Sequence, residues 1–255
     1  MLLASAGHGK TSTLASFAAE AGVPVLWIQL DPADSQVYTF LRYLAMGIQQ
    51  ELGGGDSLLR ALESGSQLTD PVPLLLADLQ ACPGHHMIVL DDFNLIDRDS
   101  PVVGITHRLL QYLDERTHLY VCSRTALPFS TARLKVIQEA AEITEDDLRF
   151  SRDETAAFLA GMTGQTPSPE ELEQIEHLTE GWSAALVLLA SAARRRGGLG
   201  PLLSSGLPGD LFAYLADEVL GGLDPHLQSF MEESSILDVL SPAICDEVLE
   251  RQDSA

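Results

Sequence analysis

The chain has 255 residues, of which 45% are hydrophobic, so it can bury a core in one large domain or two modest ones. It carries 15 lysine and arginine residues against 37 aspartate and glutamate residues, which gives a formal net charge of −22. Because contacts with phosphates need clustered basic residues, this balance argues against direct binding of nucleic acid or of an anionic membrane by this segment.

The cysteines and the apolar runs indicate a compartment. Cys82, Cys122 and Cys245 are widely spaced and odd in number, and they form neither a C-x-x-C pair nor a zinc-type cluster. No apolar run has the length of a membrane span, and the N-terminus lacks the pattern of a signal peptide. We therefore expect a cytoplasmic protein without disulfides or structural zinc.

A strand, a glycine-rich loop and a helix are predicted at the start of the chain. Leu2 and Leu3 predict a buried strand, residues 12–20 have helical spacing, and the sequence ASAGHGKT occupies residues 4–11 between them. A segment of this kind predicts a loop whose backbone N–H groups close around phosphate oxygens at the N-terminus of a helix. It departs from the general pattern at Ala4, where glycine is usual, so an ordinary glycine-rich turn is the alternative.

This loop predicts a site for ATP or ADP with Mg²⁺. The glycines permit the curvature, Lys10 can reach the β- and γ-phosphates, and the Thr11 hydroxyl can ligate the metal. Lys10 and Lys135 are the only lysines of the chain, so abundance does not explain a lysine at this position. The backbone N–H is the main contribution that we expect from His8. The residues assigned to the nucleotide are Ala6, Gly7, His8, Gly9, Lys10, Thr11 and Ser12.

Strand and helix signals alternate through the first 147 residues. Residues 25–30, 86–92 and 118–124 contain the apolar runs of buried strands, and residues 35–50, 74–79 and 102–113 have helical spacing. The alternation predicts an α/β fold with a doubly wound parallel sheet. Together with the phosphate loop, it predicts a P-loop nucleotide-binding domain over residues 1–147.

Two aspartates and an arginine follow predicted strands. The carboxyl ends of parallel strands meet at one edge of a sheet, where ligands bind. We therefore assign Asp91 to Mg²⁺, through water, and Asp92 to orienting or polarising the attacking water. Arg124 follows the next strand and is a candidate for stabilising charge on the γ-phosphate. The alternatives are a pair of turn-initiating aspartates and a surface salt bridge of the arginine.

Helical signals dominate the rest of the chain. Ser151 and Ser168 each stand three residues before a glutamate, in the pattern of a capping box. An apolar helix is predicted over 184–193, and the arginines at 194–196 fit its C-terminal end, with a docking patch for a partner as the alternative. The Gly-, Pro- and Ser-rich segment 197–209 is the predicted linker. Short helices of a further small domain are predicted at 210–220, 226–233 and 242–250.

In their order along the chain, these motifs resemble the NTPase core of the STAND class, in the MalT-like branch of large LuxR-type transcriptional regulators. The matching blocks are AGHGKT at 6–11, WIQLD at 27–31, FLRYL at 40–44, VLDDFNLI at 89–96, CSR at 122–124, LRFS at 148–151 and TEGW at 179–182. Residues 214–220 and 235–238 are similar to the start of the family's winged-helix segment. The resemblance implies a helical domain over residues 148–200 and a partial winged-helix domain over residues 201–255.

The resemblance also implies a molecular switch. ATP and ADP stabilise different domain arrangements in this family, the ATP form self-associates, and a C-terminal helix-turn-helix contacts DNA. Lys10, Thr11, Asp91 and Arg124 match the family's phosphate, Mg²⁺ and sensor positions. Ser183 stands where relatives commonly have proline, which departs from the family's nucleotide-sensing contact. The segments that precede the first strand and follow the winged helix in relatives are missing, so we expect a switch core without input or output modules.

The leading hypothesis is therefore an ATP-binding switch core of a transcriptional regulator, with slow ATP hydrolysis in a regulatory role. The second hypothesis is a nucleotide-binding or degenerate helical module that serves interaction or oligomerisation without turnover. The third is a P-loop phosphotransferase, which needs a lid with arginines, and the middle of the chain has no arginine cluster to build one.

Overall fold

The computed structural model describes residues 1–65, 69–204, 224–237 and 241–249. The chain divides into two compact units. The first contains Met1–Thr155 and Ile175–Ala184, and the second contains Ala156–Gln174 and Ala185–Ala255. The domain boundaries predicted from the sequence stay a prediction.

Five parallel strands form the sheet of the first unit, in the order β2-β3-β4-β1-β5. Leu2 of β1 is paired with Cys122 of β4 on one side and with Ile143 of β5 on the other. The short first strand therefore has neighbours on both sides, and the loop after it emerges at the carboxyl edge of the sheet. The strands are β1 (Leu2–Leu3), β2 (Val25–Gln29), β3 (His86–Asp91), β4 (Thr117–Ser123) and β5 (Ile143–Thr144).

Helices cover both faces of this sheet. The side chains of β3 alternate between two cores: Ile88 and Leu90 belong to a large cluster, while Met87 and Val89 pack with Leu14 on the opposite face. Every residue of β3 is buried, which explains its nearly continuous apolar sequence. The helices of this unit are α1 (Lys10–Ala21), α2 (Val37–Gln50), α3 (Ser57–Glu63), α4 (Val72–Gln80), α5 (Pro101–Tyr112), α6 (Ala132–Val136) and α7 (Glu145–Leu148), with 3-10 helices at Pro32–Ser35 and Phe93–Leu95.

The remaining described elements are helical. Both predicted capping boxes are present: Ser151 N–H donates to the Glu154 carboxylate over 2.8 Å, and Ser168 N–H donates to the Glu171 carboxylate over 2.8 Å. The three arginines at 194–196 lie in the last turn of their helix, as expected. These helices are α8 (Arg152–Thr163), α9 (Pro169–Thr179), α10 (Ser183–Arg196), α11 (Leu199–Ser204), α12 (Pro225–Ser234) and α13 (Pro242–Val248).

The α/β prediction with a P-loop NTPase sheet is confirmed, and its strands lie within two residues of their predicted positions. The predicted linker at 197–209 is wrong in its first part, because α11 begins at Leu199. Leu199 and Leu202 are three residues apart and both buried, and Pro201 falls in the first turn, where proline is tolerated. The predicted helix at 210–220 lies outside the described residues. None of the described helices combines the length and apolar content needed to cross a bilayer.

We predict that Asp78→Ala lowers the free energy of unfolding by about 2 kcal/mol, because it removes a charged acceptor from one buried and one partly buried N–H group. Asp78 is 2% exposed, and its carboxylate accepts from Ser57 N–H at 3.0 Å and from Leu58 N–H at 2.9 Å, at the start of α3. Urea unfolding measures the change. The control is Asp56→Ala at the same helix start, whose side chain pairs with Arg60 at the surface. An equal loss in both variants would contradict the capping role.

Candidate functional site

The loop between β1 and α1 has a tight curvature that depends on two glycines. Gly7 and Gly9 adopt φ angles of 73° and 77°, in the left-handed region that favours glycine. Gly9 is also the N-cap of α1, and no side chain caps this helix end. The first N–H groups of α1 therefore point at the loop without a side-chain acceptor, as an anion site at a helix N-terminus requires.

Lys10 places a buried charge inside the loop. The residue is 7% exposed, and Nζ donates to the carbonyl oxygens of Ala4 at 2.6 Å and Ser5 at 3.0 Å. Burial lowers the pKa of Lys10, and the nearby Arg124 acts in the same direction. Asp92 and Asp91 act in the opposite direction. The ammonium group is bonded to two neutral carbonyl oxygens, which an anionic ligand could replace.

Thr11 and Asp91 meet beside the loop. The Thr11 hydroxyl donates to Asp91 Oδ2 over 2.8 Å, and Asp91 Oδ1 accepts from the Asp92 N–H over 3.0 Å. Asp91 is fully buried at the end of β3. Burial, followed by the Asp91 charge, raises the pKa of the Cys122 thiol to about 12, so this neighbour stays neutral. Hydroxyl and carboxylate oxygens are the kind of ligand that Mg²⁺ prefers.

Asp92 lies at the same edge in an uncommon backbone conformation. Its φ of 55° and ψ of 42° are left-handed, which is infrequent for a residue with a side chain. Gln29 Nε2 donates to Asp92 Oδ2 over 2.5 Å, and Arg124 Nε lies 3.8 Å from Asp92 Oδ1. The backbone N–H of Arg124 donates to Asn94 Oδ1 over 3.0 Å. The two aspartates and Arg124 therefore come together where β3 and β4 end.

Gln29 is a site residue that the sequence reasoning missed. It is the last residue of β2, and the strand register pairs it with Asp91. Its position was the available signal, because the ends of neighbouring parallel strands converge at one edge. No other feature of the sequence marks this single glutamine within the apolar run 25–30 as a site residue.

The segment from Trp182 to Ala184 contacts the loop from the carbonyl side. Trp182 Nε1 donates to Ala6 O over 3.2 Å, and Gly7 O accepts from the Ser183 hydroxyl at 2.6 Å and from the Ala184 N–H at 3.0 Å. Trp182, the last residue of the TEGW block, therefore donates its indole N–H to the loop. Ser183 uses a hydroxyl here that proline does not have.

The His8 side chain takes part as well, whereas the sequence assigned a role chiefly to its backbone. The side chain is 9% exposed, and its Nε2 lies 3.2 Å from a carboxylate oxygen of Glu145. Its Nδ1 lies 3.2 Å from both the Ser5 hydroxyl and the carbonyl oxygen of Ala6. Ser12, by contrast, is exposed on the first turn of α1.

The described residues contain no cluster of three or more histidine, cysteine, aspartate or glutamate side chains that could hold a metal ion. In proteins, Mg²⁺ usually keeps several water ligands and is bound through one or two carboxylates together with substrate phosphates.

Comparisons with known proteins agree with the motifs. Residues 216–255 match the MalT winged helix domain. The chain is 29% identical over 252 residues to the HTH-type transcriptional regulator MalT of Cronobacter sakazakii, covering 96% of this chain and 28% of that protein. It is 28% identical over 246 residues to MalT of Yersinia enterocolitica, covering 94% of this chain and 27% of that protein. The chain thus spans little more than a quarter of the length of these relatives.

Two solved structures were also found. The Aeropyrum pernix ORC1 protein in complex with DNA superposes with a TM-score of 0.47 at 16% identity, covering 98% of this chain and 70% of that chain. A Thermotoga maritima RuvB mutant superposes with a TM-score of 0.45 at 12% identity, covering 98% of this chain and 74% of that chain.

The sheet order and the loop define a P-loop NTPase core, and the match at residues 216–255 adds a winged-helix segment after it. The similarity to MalT extends over nearly the whole chain, which confirms the resemblance to the MalT-like regulators predicted from the motifs.

We predict that Gly7→Ala destabilises the protein through a collision as well as through backbone strain. A Cβ at Gly7 would lie 2.7 Å from Ala184 Cβ and 2.9 Å from Trp182 Nε1. The left-handed φ costs about 1 kcal/mol, and overpacking adds about 1–3 kcal/mol. Urea unfolding without nucleotide measures the sum.

The matched control for this prediction is Gly22→Ala. Gly22 has a φ of 66° and nothing within 4 Å of its Cβ position, so this variant carries the strain without the collision. Equal losses in the two variants would show that the segment from Trp182 to Ala184 does not press on the loop in solution.

Proposed function

We propose that the chain is the ATP-binding switch core of a MalT-like transcriptional regulator, and that it hydrolyses ATP slowly. The observation that carries the proposal is the convergence of the buried Lys10 ammonium group and the Thr11–Asp91 pair beside an uncapped helix N-terminus. A magnesium-bound triphosphate needs these groups: a lysine ammonium group inside the loop, backbone N–H donors for the phosphates, and oxygen ligands for the metal.

The residues present fit the nucleotide and the metal. The glycines at 7 and 9 leave the inner side of the loop without side chains, and Lys10 would exchange its carbonyl acceptors for phosphate oxygens. Thr11 and Asp91 would hold Mg²⁺, directly or through water. When bound, Mg²⁺ supplies charge neutralisation of the phosphate oxygens.

Asp92 is the proposed group that orients the attacking water, and Arg124 the group that stabilises charge on the γ-phosphate. Gln29 holds one oxygen of Asp92, and the Arg124 guanidinium group lies near the other. These contacts hold the carboxylate in place and leave lone pairs that can accept from a water molecule. Slow turnover stays part of the proposal, as expected of a switch rather than of a metabolic enzyme.

The regulatory part of the proposal rests on the relatives. Similarity to HTH-type transcriptional regulators covers 96% of the chain, although the chain covers only 28% of the relative. The formal charge of −22 argues against DNA contact by this segment itself, so any DNA-reading module would belong to another part of such a regulator. Self-association in the ATP state stays a prediction from the resemblance.

We predict that ATP with Mg²⁺ raises the melting temperature, because a ligand that binds only the folded chain stabilises it by mass action. At 100 times the dissociation constant the stabilisation is about 2.7 kcal/mol. Lys10→Ala should abolish the shift, which scanning fluorimetry at increasing ATP concentration measures.

Lys135→Ala is the control for the loss of a lysine. Lys135 forms an ion pair with Glu142 at the surface, away from the loop, so its replacement should leave the ATP-dependent shift intact. No shift in the unaltered chain would refute nucleotide binding and favour the interaction module.

We predict that Asp92→Asn retains ATP binding but lowers the hydrolysis rate by about 100-fold, within the range that general acid–base groups contribute. Release of phosphate under single-turnover conditions measures the rate, and the melting shift reports binding. Asp99→Asn is the control, because Asp99 is an exposed acid of the loop that follows. Unchanged hydrolysis in Asp92→Asn would remove this residue from its assigned role.

A further inference from the structure

A single carboxylate outside the nucleotide motifs holds the first half of the phosphate loop. Glu145, the first residue of α7, accepts hydrogen bonds from the Ser5 N–H at 3.3 Å and from the Ser5 hydroxyl at 2.6 Å. Its second oxygen lies 3.2 Å from His8 Nε2. Two loop residues that flank the backbone of Ala6 and Gly7 are thus attached to one side chain.

Glu145 is ionised at neutral pH. The hydrogen bond from Ser5, above all, lowers the pKa of Glu145, and the charges of His8 and Arg149 act in the same direction against the effect of burial. Because the folded pKa lies below the unfolded value, the stabilisation is complete above the unfolded pKa. It is lost as the pH falls through the folded pKa. The attachment therefore persists over the neutral range.

Arg149 connects this carboxylate with the segment that holds the other half of the loop. Its Nη2 donates to Glu145 Oε1 over 3.4 Å, and its Nη1 lies 3.2 Å from Glu180 Oε2. The same Nη1 donates to the backbone carbonyl of Glu180 over 3.4 Å. Glu180 precedes the segment from Trp182 to Ala184, whose donors bind the carbonyl oxygens of Ala6 and Gly7.

We propose that Glu145 and Arg149 are positioning residues of the nucleotide site. Glu145 fixes the first half of the phosphate loop through Ser5 and His8, and Arg149 ties it to the segment that fixes the second half. These five residues, Ser5, His8, Glu145, Arg149 and Glu180, are called the loop brace. The proposal rests on the proposed nucleotide binding and adds residues that the phosphate, metal and sensor motifs do not contain.

The segment from Trp182 to Ala184, to which Arg149 of the brace is connected through Glu180, orients the loop through its planar trans peptides. In each peptide unit the C=O and the N–H point in opposite directions. Donors that bind the carbonyl oxygens of Ala6 and Gly7 from one side therefore turn the N–H groups of Gly7 and His8 toward the other side. A loop held in this arrangement before the phosphates arrive binds them with a smaller loss of conformational entropy.

The test compares Glu145→Gln with Asp146→Asn, which removes the same charge from the next residue of α7. Asp146 is 89% exposed and lies 3.3 Å from Arg149 Nε, and it stands outside the brace. We expect Glu145→Gln to weaken the binding of ATP with Mg²⁺ about 5- to 10-fold, and Asp146→Asn to leave it unchanged. Isothermal titration calorimetry measures both, and the melting temperature without nucleotide should differ little between the variants.

Two further readouts separate positioning from a general loss of structure. Hydrogen exchange of the peptide that covers residues 4–9 should speed up in nucleotide-free Glu145→Gln and not in Asp146→Asn. Ser5→Ala should weaken ATP binding, and Ser5→Thr, which keeps the hydroxyl, should restore it. Unchanged affinity and unchanged exchange in Glu145→Gln would overturn the proposal. Failure of the unaltered chain to bind ATP would instead refute the proposed function, and the exchange data would still decide whether the brace fixes the loop.

Discussion

The organisation of the site depends on one buried positive charge. Removing an ammonium group from water costs several kcal/mol unless other groups replace its hydration. In this chain the carbonyl oxygens of Ala4 and Ser5 do so for Lys10, and only a loop that curls back on its own lysine can present them. That curl requires the left-handed glycines at 7 and 9 and a strand that delivers the loop to the carboxyl edge of the sheet. The short β1, paired on both sides, meets the second requirement.

The parallel register then determines which polar groups surround this charge. Gln29, Asp91 and Ser123 each end a strand, and Asp92 and Arg124 follow directly. Their proximity is a consequence of topology, because neighbouring parallel strands end at the same edge. The two aspartates are neighbours in sequence but have different partners, so they can have different chemical roles. Asp91 is buried and bonded to a hydroxyl, whereas Asp92 contacts an amide and lies near a guanidinium group, so adjacent carboxylates have different environments.

The sequence allowed the sheet and the central site to be predicted because their signals are strong and local. Apolar runs such as residues 87–90 have few alternatives to a buried strand, and a carboxylate pair after such a run has a defined place. Strand β5 and helix α7 gave no comparable signal, since a two-residue strand and a four-residue helix show no periodicity. Glu145 was missed for this reason: its role depends on a contact with Ser5 across 140 positions. The linker prediction was wrong at residues 199–204, because two buried leucines outweighed the turn-forming composition there.

Ser183, which stands where the resembled family commonly has proline, makes a contact with the phosphate loop that proline could not make. The segment that contains it is fixed on one side by a close approach of backbones, because a Cβ at Gly181 would lie 2.4 Å from the carbonyl oxygen of Phe150. Phe150 N–H also donates to Gly181 O over 2.9 Å. On the other side, the Ser183 hydroxyl binds Gly7 O, in the part of the loop that is proposed to hold phosphate. Ser183 is also the first residue of α10, so a shift of the loop backbone on nucleotide binding would act directly on the start of that helix. A proline at this position has no hydroxyl to donate. Only the Trp182 indole and the Ala184 N–H would then connect this segment with the loop.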